Sequence, residues 1–201
     1  MAVKILAIVQ ARMRSTRLPG KVLREVNGKS LIEILLHRVS KAKRVNRVVL
    51  ATGNTSHNDV LATRVESLGY EVFRGDEDNV LDRYYQAAKT YHAATIVRIT
   101  GDCPIIDPSI IDQVIDLHQD ARVDYASNTI PPTFPDGLDT EVFSFEALEG
   151  AWKNAVTNYD KEHVTPFIKS SNQFRRQNFP NEVDLSAERW TVDEPEDLEV
   201  I

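Results

Sequence analysis

Cysteine is nearly missing: Cys103 stands alone in 201 residues. No internal disulfide is available, and nothing marks the chain as secreted. Long apolar runs are missing too. The stretch "VKILAIV" (Val3 to Val9) gives way to Gln10, too short for a membrane span and without a signal-peptide cleavage pattern; the expectation is a cytoplasmic protein. Positive charge is in deficit, with 24 Lys and Arg against 30 Asp and Glu. That balance excludes a general nucleic-acid or membrane-surface binder, which needs a broadly basic face. Two nucleotide-binding signatures, GxxxxGK[ST] and GxGxxG, are absent, as are repeats and low-complexity segments.

Against this acidic background one segment gathers cations. In "IVQARMRSTRLPGKVL" (Ile8 to Leu23) and the residue after it, Arg12, Arg14, Arg17, Lys21 and Arg24 share a loop broken by Pro19 and Gly20. A local basic loop on an acidic body implies one small, highly anionic ligand. The loop follows a buried strand and precedes a helix, where strand ends, loop amides and helix N-termini converge in open α/β sheets. Gly20 lets the backbone approach a ligand and Pro19 restrains the loop. Arg12 can fork onto phosphate oxygens, and Lys21 supplies a compact point charge. A solvated basic loop is the plain alternative.

Strand and helix patterns alternate four times through the first 120 residues. Apolar runs at 3–9, 47–52, 70–73 and 94–100 read as strands. Helices are expected at 30–43, with Ser30 as N-cap and Leu31, Ile34, Leu35, Arg38 and Val39 on one face; at 58–69; at 78–93; and after Pro108. This alternation predicts an α/β domain of three α/β/α layers, Rossmann-like, on a mostly parallel sheet. From Asp124 the pattern changes: short strands at 124–127 and 140–145, and between them an irregular segment containing Pro131, Pro132 and Pro135 with an Asp136-Gly137 turn. One domain spanning 1–201 is expected, with a Pro-rich arm or lid at about 128–146. Helices are read at 145–155 and 160–171, then a strand entering a helix at Pro195 that Ile201 cuts short.

Two aspartates sit where strand ends would aim them at the same place. Asp102, in "TGDCP" behind Gly101, can hold Mg²⁺, which favours one or two carboxylates plus substrate phosphates; a cap or turn role is the alternative. Asp193, in "TVDEPEDL", precedes a helix whose first-turn Glu196 and Asp197 suit the positive helix end. Together with the cationic loop they compose a nucleoside-triphosphate site. Cys103 has no base beside it in sequence and reads as a small buried thiol. His163 is either a base or a structural residue at a helix entry. Asp136, Asp139 and Glu141 can accept sugar hydroxyls, although turn chemistry explains Asp136 equally well. Arg98 and Arg175 are the candidate carboxylate readers.

The segments "IVQARMRSTRLPGKVL", "TGDCPIID" and "TVDEPEDL" resemble the cytidylyltransferases that activate acidic sugars, the 3-deoxy-manno-octulosonate and acylneuraminate enzymes. "DNVLDRYYQAA", "DGLDTEVFSFEAL" and "EHVTPFI" are most similar to the branch assigned to spore-coat polysaccharide biosynthesis. The resemblance spans almost the whole chain. It implies the nucleotide-diphospho-sugar transferase fold, a homodimer, and transfer of CMP from CTP to a sugar with release of pyrophosphate. By position it implies that Arg12, Ser15 and Lys21 bind the triphosphate, with Ala11 and Gly20 in the same loop. Arg74 then helps to hold the cytidine, and Asp102 and Asp193 ligate Mg²⁺. Two positions depart from the pattern, Thr100 where the octulosonate enzymes have Gln, and Thr191 where the acylneuraminate enzymes have an extra Asp. Both fall on sugar recognition. A nucleotide-sugar glycosyltransferase of related fold and a non-catalytic nucleotide-binding homologue are the rival readings.

Overall fold

The computed structural model describes residues 4–15 and 17–201; Val3, expected to begin the first strand, lies outside them. Strand β1 (Ile5–Gln10) has an unbroken apolar run because both its faces are covered. Ile5, Ala7 and Val9 enter one core, and Leu6 and Ile8 another, as the two-residue side-chain period demands. The basic loop follows, then a ribbon of β2 (Glu25–Val26) and β3 (Lys29–Ser30) that the sequence reading did not foresee.

The expected alternation then unfolds: α1 (Leu31–Val39), β4 (Arg47–Gly53), α2 (Asp59–Ser67), β5 (Glu71–Gly75), α3 (Val80–Thr90), β6 (Thr95–Thr100) and α4 (Pro108–Asp120). Two of these helices begin on side-chain caps. Asn79 accepts from the Asp82 amide at 3.1 Å to start α3, and Asp107 accepts from the Ser109 amide at 2.7 Å just before Pro108, each satisfying an orphan N–H of a first turn. Ser30 holds the N-cap position of α1 but its side chain makes no capping bond. The buried face of α1 is also turned from the expected one: Ile32 and Leu36 are fully buried, while Ile34 and Arg38 are half-buried. Arg38 instead reaches over to donate to the Ile106 carbonyl.

The remaining elements are short: β7 (Tyr125–Ser127), β8 (Glu141–Ser144), α5 (Phe145–Asn154), α6 (Asn158–His163), α7 (Pro166–Ser170) and β9 (Arg176–Asn178). The seven strands of the main sheet run in the order β5-β4-β1-β6-β8-β7-β9. Pairing is parallel except along both edges of β8, so the sheet is mostly parallel. Helices α1, α2 and α4 cover the face to which Val9 points, and α3, α5 and α7 the face of Leu6 and Ile8, giving three layers. Truncating a fully buried leucine such as Leu36 to Ala would cost about 2–5 kcal/mol.

Three expectations are corrected beyond residue 124. The single helix over 160–171 is two, because Val164 takes φ 69° and Pro166, without an N–H, can only open a new helix. The strand before Pro195 does not form. Segment 188–193 makes an isolated β-bridge, Asp136 to Arg189, in place of a strand, and the stretch after it, Pro195–Glu199, is a 3₁₀ helix. Residues 141–144 belong to β8, so the irregular segment is 128–140. It is pinned at its base by Asn128, whose side chain donates to Leu138 O and accepts from Thr140 N, both at 2.8 Å. Phe134 stacks on Phe179, which holds the segment against the chain that follows β9.

Candidate active site

The carboxyl ends of β1 and β6 lie side by side, with Gln10 opposite Thr100, and a cleft of about 1120 Å³ opens above them. Gly101 turns the chain out of β6 against β1. A Cβ there would sit 2.8 Å from both the Ala11 side chain and the Gln10 carbonyl, so no larger residue fits. On the other side the basic loop closes on itself: the Gly20 amide donates to Met13 O at 3.0 Å, with Gly20 at φ 70°, a left-handed conformation that suits glycine. Lys21 begins the 3₁₀ turn that follows, and its side chain points back across the cleft mouth.

Lys21 is the hinge of the site. Its Nζ lies 2.8 Å from Asp193 Oδ1, 2.8 Å from the Val192 carbonyl and 3.6 Å from Asp102 Oδ2. The Val192 amide in turn donates to the Asp102 carbonyl at 2.8 Å, so the two aspartates, 91 residues apart in sequence (193 − 102), are clamped to each other through backbone and ammonium. Asp193 is further flanked by Arg17 at 3.0 Å on Oδ1 and Arg189 at 3.0 Å on Oδ2. Burial pushes the Asp193 carboxyl up, but Lys21, Arg189 and Arg17 outweigh it and hold its pKa below the ordinary range.

Of the other residues singled out in the sequence, Ala11, Arg12, Ser15, Gly20, Arg98, Thr100 and His163 all line the same cleft. Arg12 lies 3.9 Å from Asp78 and 3.7 Å from Glu162. Ser15 Oγ accepts from the Leu18 amide, and Thr100 Oγ1 is 3.2 Å from Cys103 Sγ. The Cys103 thiol is buried and its pKa is raised well above the usual value, by burial and then by Asp102, which removes it as a nucleophile. Asp136 and Asp139 lie on the irregular segment and are not among the residues that line the cleft, although Asp136 is close enough to feel the charges of Asp102 and Asp193. Asp139 accepts from no protein donor among the described residues. Burial, then repulsion from Asp136 and Glu141, lifts its pKa to about 6. Asp136 is raised by burial and by Asp102.

Three residues are placed elsewhere. Glu141 is buried and saturated by the chain's own donors: Tyr125 Oη at 2.6 Å, Lys169 Nζ at 2.6 Å, Thr165 Oγ1 at 2.8 Å and the Arg98 guanidinium. Burial raises its pKa, yet Arg98 and Lys169 bring it down to about 2. It is a structural anion under the cleft, not an acceptor of sugar hydroxyls. Arg74 is spent on the Gly53 and Thr55 carbonyls and on Asp59 at 2.7 Å, where it braces the loop that carries His57 into the cleft. Arg175 pairs with Asp124 on the outer surface and does not reach the cleft.

The cleft also contains residues that sequence reasoning passed over, notably Gln10, Arg83 and Glu162. Arg83 is 2% exposed on α3 and donates to the Asp76 and Glu77 carbonyls. Its helical spacing reads as a polar face, and nothing in the sequence signalled its burial. Arg189 was passed over too, although a cation four residues before Asp193 is a usable signal, while Arg17 was already counted with the basic loop.

A family model described as cytidylyltransferase matches residues 6–198. The chain belongs to the cytidylyltransferase family. It is a CTP-dependent nucleotidyltransferase, and its mostly parallel sheet between helices is the Rossmann-like nucleotidyltransferase fold. It is 37% identical over 205 aligned residues to the spore coat polysaccharide biosynthesis protein SpsF of Bacillus subtilis, covering 98% of this chain and 84% of that one. It is 36% identical over 113 residues to the 3-deoxy-manno-octulosonate cytidylyltransferase of Geobacter sulfurreducens, a match covering 55% of this cytidylyltransferase and 44% of that protein. A solved cytidylyltransferase structure from Leptospira borgpetersenii superposes with a TM-score of 0.93 at 36% identity, covering 98% of this chain and 84% of that one. No helix among the described residues is long and apolar enough to cross a membrane.

Proposed function

We propose that this cytidylyltransferase transfers CMP from CTP to a hydroxyl of an acidic 2-keto sugar, releasing pyrophosphate, in the synthesis of a surface polysaccharide. The observation that carries the reading is the clamp at Lys21, which brings both aspartates to the mouth of a cleft roofed by the basic loop. The names of two relatives, an octulosonate cytidylyltransferase and a spore coat polysaccharide protein, suggest the sugar and the polysaccharide context.

The chain's task is placement and charge neutralisation, because phosphoryl-type transition states leave little covalent work for the protein. Arg12 and Ser15 hold the triphosphate against the loop, and Lys21 stabilises the charge that builds on departing pyrophosphate. Arg98, anchored on Glu141 at the cleft floor, is placed to read an acceptor carboxylate. Asp139 and His163 are the groups able to accept the proton of the attacking hydroxyl.

Asp102 and Asp193 would hold Mg²⁺. The donor set suits it: two carboxylates, and among the described residues no group of three or more His, Cys, Asp and Glu side chains placed to hold an ion unaided, as expected of an ion that takes its remaining ligands from phosphates and water. When bound, it supplies charge neutralisation at the reacting phosphate. A cytoplasmic homodimer completes the reading.

Pyrophosphate release, measured across four nucleoside triphosphates and a panel of 2-keto acid sugars, tests donor and acceptor together. CTP with an acidic sugar is expected to give turnover. Lys21→Ala and Asp102→Ala are each expected to lose roughly 3–4 kcal/mol of transition-state stabilisation. Wild-type rates in both variants, or release of a nucleoside diphosphate instead, would overturn the reading.

A further inference from the structure

The two oxygens of Asp193 are held differently. Oδ1 faces Lys21 at 2.8 Å and Arg17 at 3.0 Å, both on the basic loop. Oδ2 faces, among the described residues, only Arg189 at 3.0 Å. Arg189 is fixed independently of any ligand: its other nitrogen donates to Asp197 at 2.5 Å, and its backbone bridges Asp136 of the irregular segment. Among the described residues, Lys21 and Arg17 have no comparable second anchor outside the aspartate pair and its neighbours, Val192 and Glu194.

This asymmetry sorts the three cations. A triphosphate is a stronger attraction for loop cations than a pair of carboxylates already shared among several positive charges, since it presents more negative charge in the same cleft. Lys21 and Arg17 can move with it. Arg189 stays. While Lys21 sits between Asp102 and Asp193, its ammonium fills the position that a divalent cation would share with them, and like charges cannot occupy it together.

We propose that Lys21 plugs the Asp102–Asp193 pair against divalent cations until a triphosphate draws it away, and that Arg189 is the positioning residue that keeps Asp193 in place while Lys21 is gone. The inference rests on the reading of the two aspartates as metal ligands. It adds an order of assembly, nucleotide and metal entering together, and a residue with no part in that reading.

Mn²⁺ is the probe. Its binding to the protein without nucleotide, read from the loss of the free-ion electron paramagnetic resonance signal, is expected to be weak for the wild type. In Lys21→Met it should be at least about tenfold tighter, and the gain should vanish when Asp193→Asn is added. The ternary complex with Mn²⁺ and CTP, read from water-proton relaxation, is expected in the wild type. It should weaken roughly tenfold in Arg189→Gln and recover in Arg189→Lys, a rescue that a merely folding role would not require. If no ternary metal complex forms in the wild type, the metal reading itself fails. If it forms, but Lys21→Met binds Mn²⁺ no better than the wild type without nucleotide, only the plug fails. If Arg189→Gln leaves the ternary complex unchanged, the positioning role fails.

Discussion

Asp102 and Asp193 meet at one ammonium, but the molecule brings them there by opposite means. Asp102 follows β6, a strand paired along its length to β1 and over Thr95 to Arg98 to β8, and the turn after it is forced by the close approach of Gly101 to β1. Asp193 follows no strand. Its segment is held by single bonds: one backbone bridge at Arg189, the Val192 amide on Asp102 O, and Asp197, which accepts from the amides of Asp193 and Glu194 at 2.7 Å each. A ladder fixes one carboxylate, and a set of side-chain clips fixes the other. Ladder hydrogen bonds protect one another, whereas isolated clips open locally. The Asp193 side of the site is therefore the adjustable side, and the changes below probe that difference.

The largest effect is expected at the seam between the two halves. Glu141 lies on the reversed strand β8 and ties β6, through Arg98, to β7 and α7, through Tyr125 and Lys169. Glu141→Ala leaves two cations facing a buried void, and breaking a buried pair in this way costs about 3–5 kcal/mol. Urea unfolding at neutral pH measures it. The sign with pH follows from the lowered pKa of about 2: the carboxylate's contribution is complete above the ordinary glutamate range and is lost as pH falls from there towards 2. Wild type and variant should converge in stability on acidification. A constant gap down to pH 2 would show that Glu141 is not the anion that joins the halves.

A smaller effect of opposite sign is expected at Asp139. Its pKa of about 6, raised by burial and by Asp136 and Glu141, means that the folded protein holds a proton that the unfolded chain has already lost. This group's contribution to stability therefore falls as pH rises from about 4 to 6 and stays low above that. Asp139→Asn should stabilise the protein at pH 8 by roughly 1 kcal/mol, after allowance for partial exposure, and change nothing at pH 4. Thermal unfolding at the two pH values reads the difference. If Asp139 takes the proton of the acceptor hydroxyl, the same substitution lowers turnover at pH 8, so stability and activity move apart.

Why the adjustable side was the harder one to read follows from the same contrast. The four parallel strands declared themselves because a strand covered on both faces must be apolar throughout, and "ATIVRIT" before Gly101-Asp102 left little choice about where Asp102 points. The basic loop was legible because five cations gather there on an otherwise acidic chain. Past Asp124 the governing bonds are not periodic. Nothing in "ERWTVDEP" distinguishes a strand from a segment clipped to Asp102 and Asp136, and Glu141 looks like any exposed strand glutamate until Arg98 and Lys169 arrive from distant elements. Arg74 entered only through the family resemblance, and only the fold shows Gly53, Thr55 and Asp59 already around it.

The smallest effect sharpens the comparison most, because it matches a clip against a cap of the same chemistry on the ladder side. Asp197 accepts two backbone amides beside Asp193, and Asp107 accepts the Ser109 amide at the start of α4, the helix that follows Asp102. Replacing either with Ala removes a capping acceptor and should cost about 1 kcal/mol, readable as similar shifts in urea midpoint. Activity should separate them. Without Asp197, the Asp193 amide loses its partner and Arg189 loses its second anchor, so turnover is expected to fall several-fold. Without Asp107, β6 and Gly101 still aim Asp102, and turnover should stay near that of the wild type. Equal losses of activity would mean that the ladder and the clips hold their aspartates equally firmly.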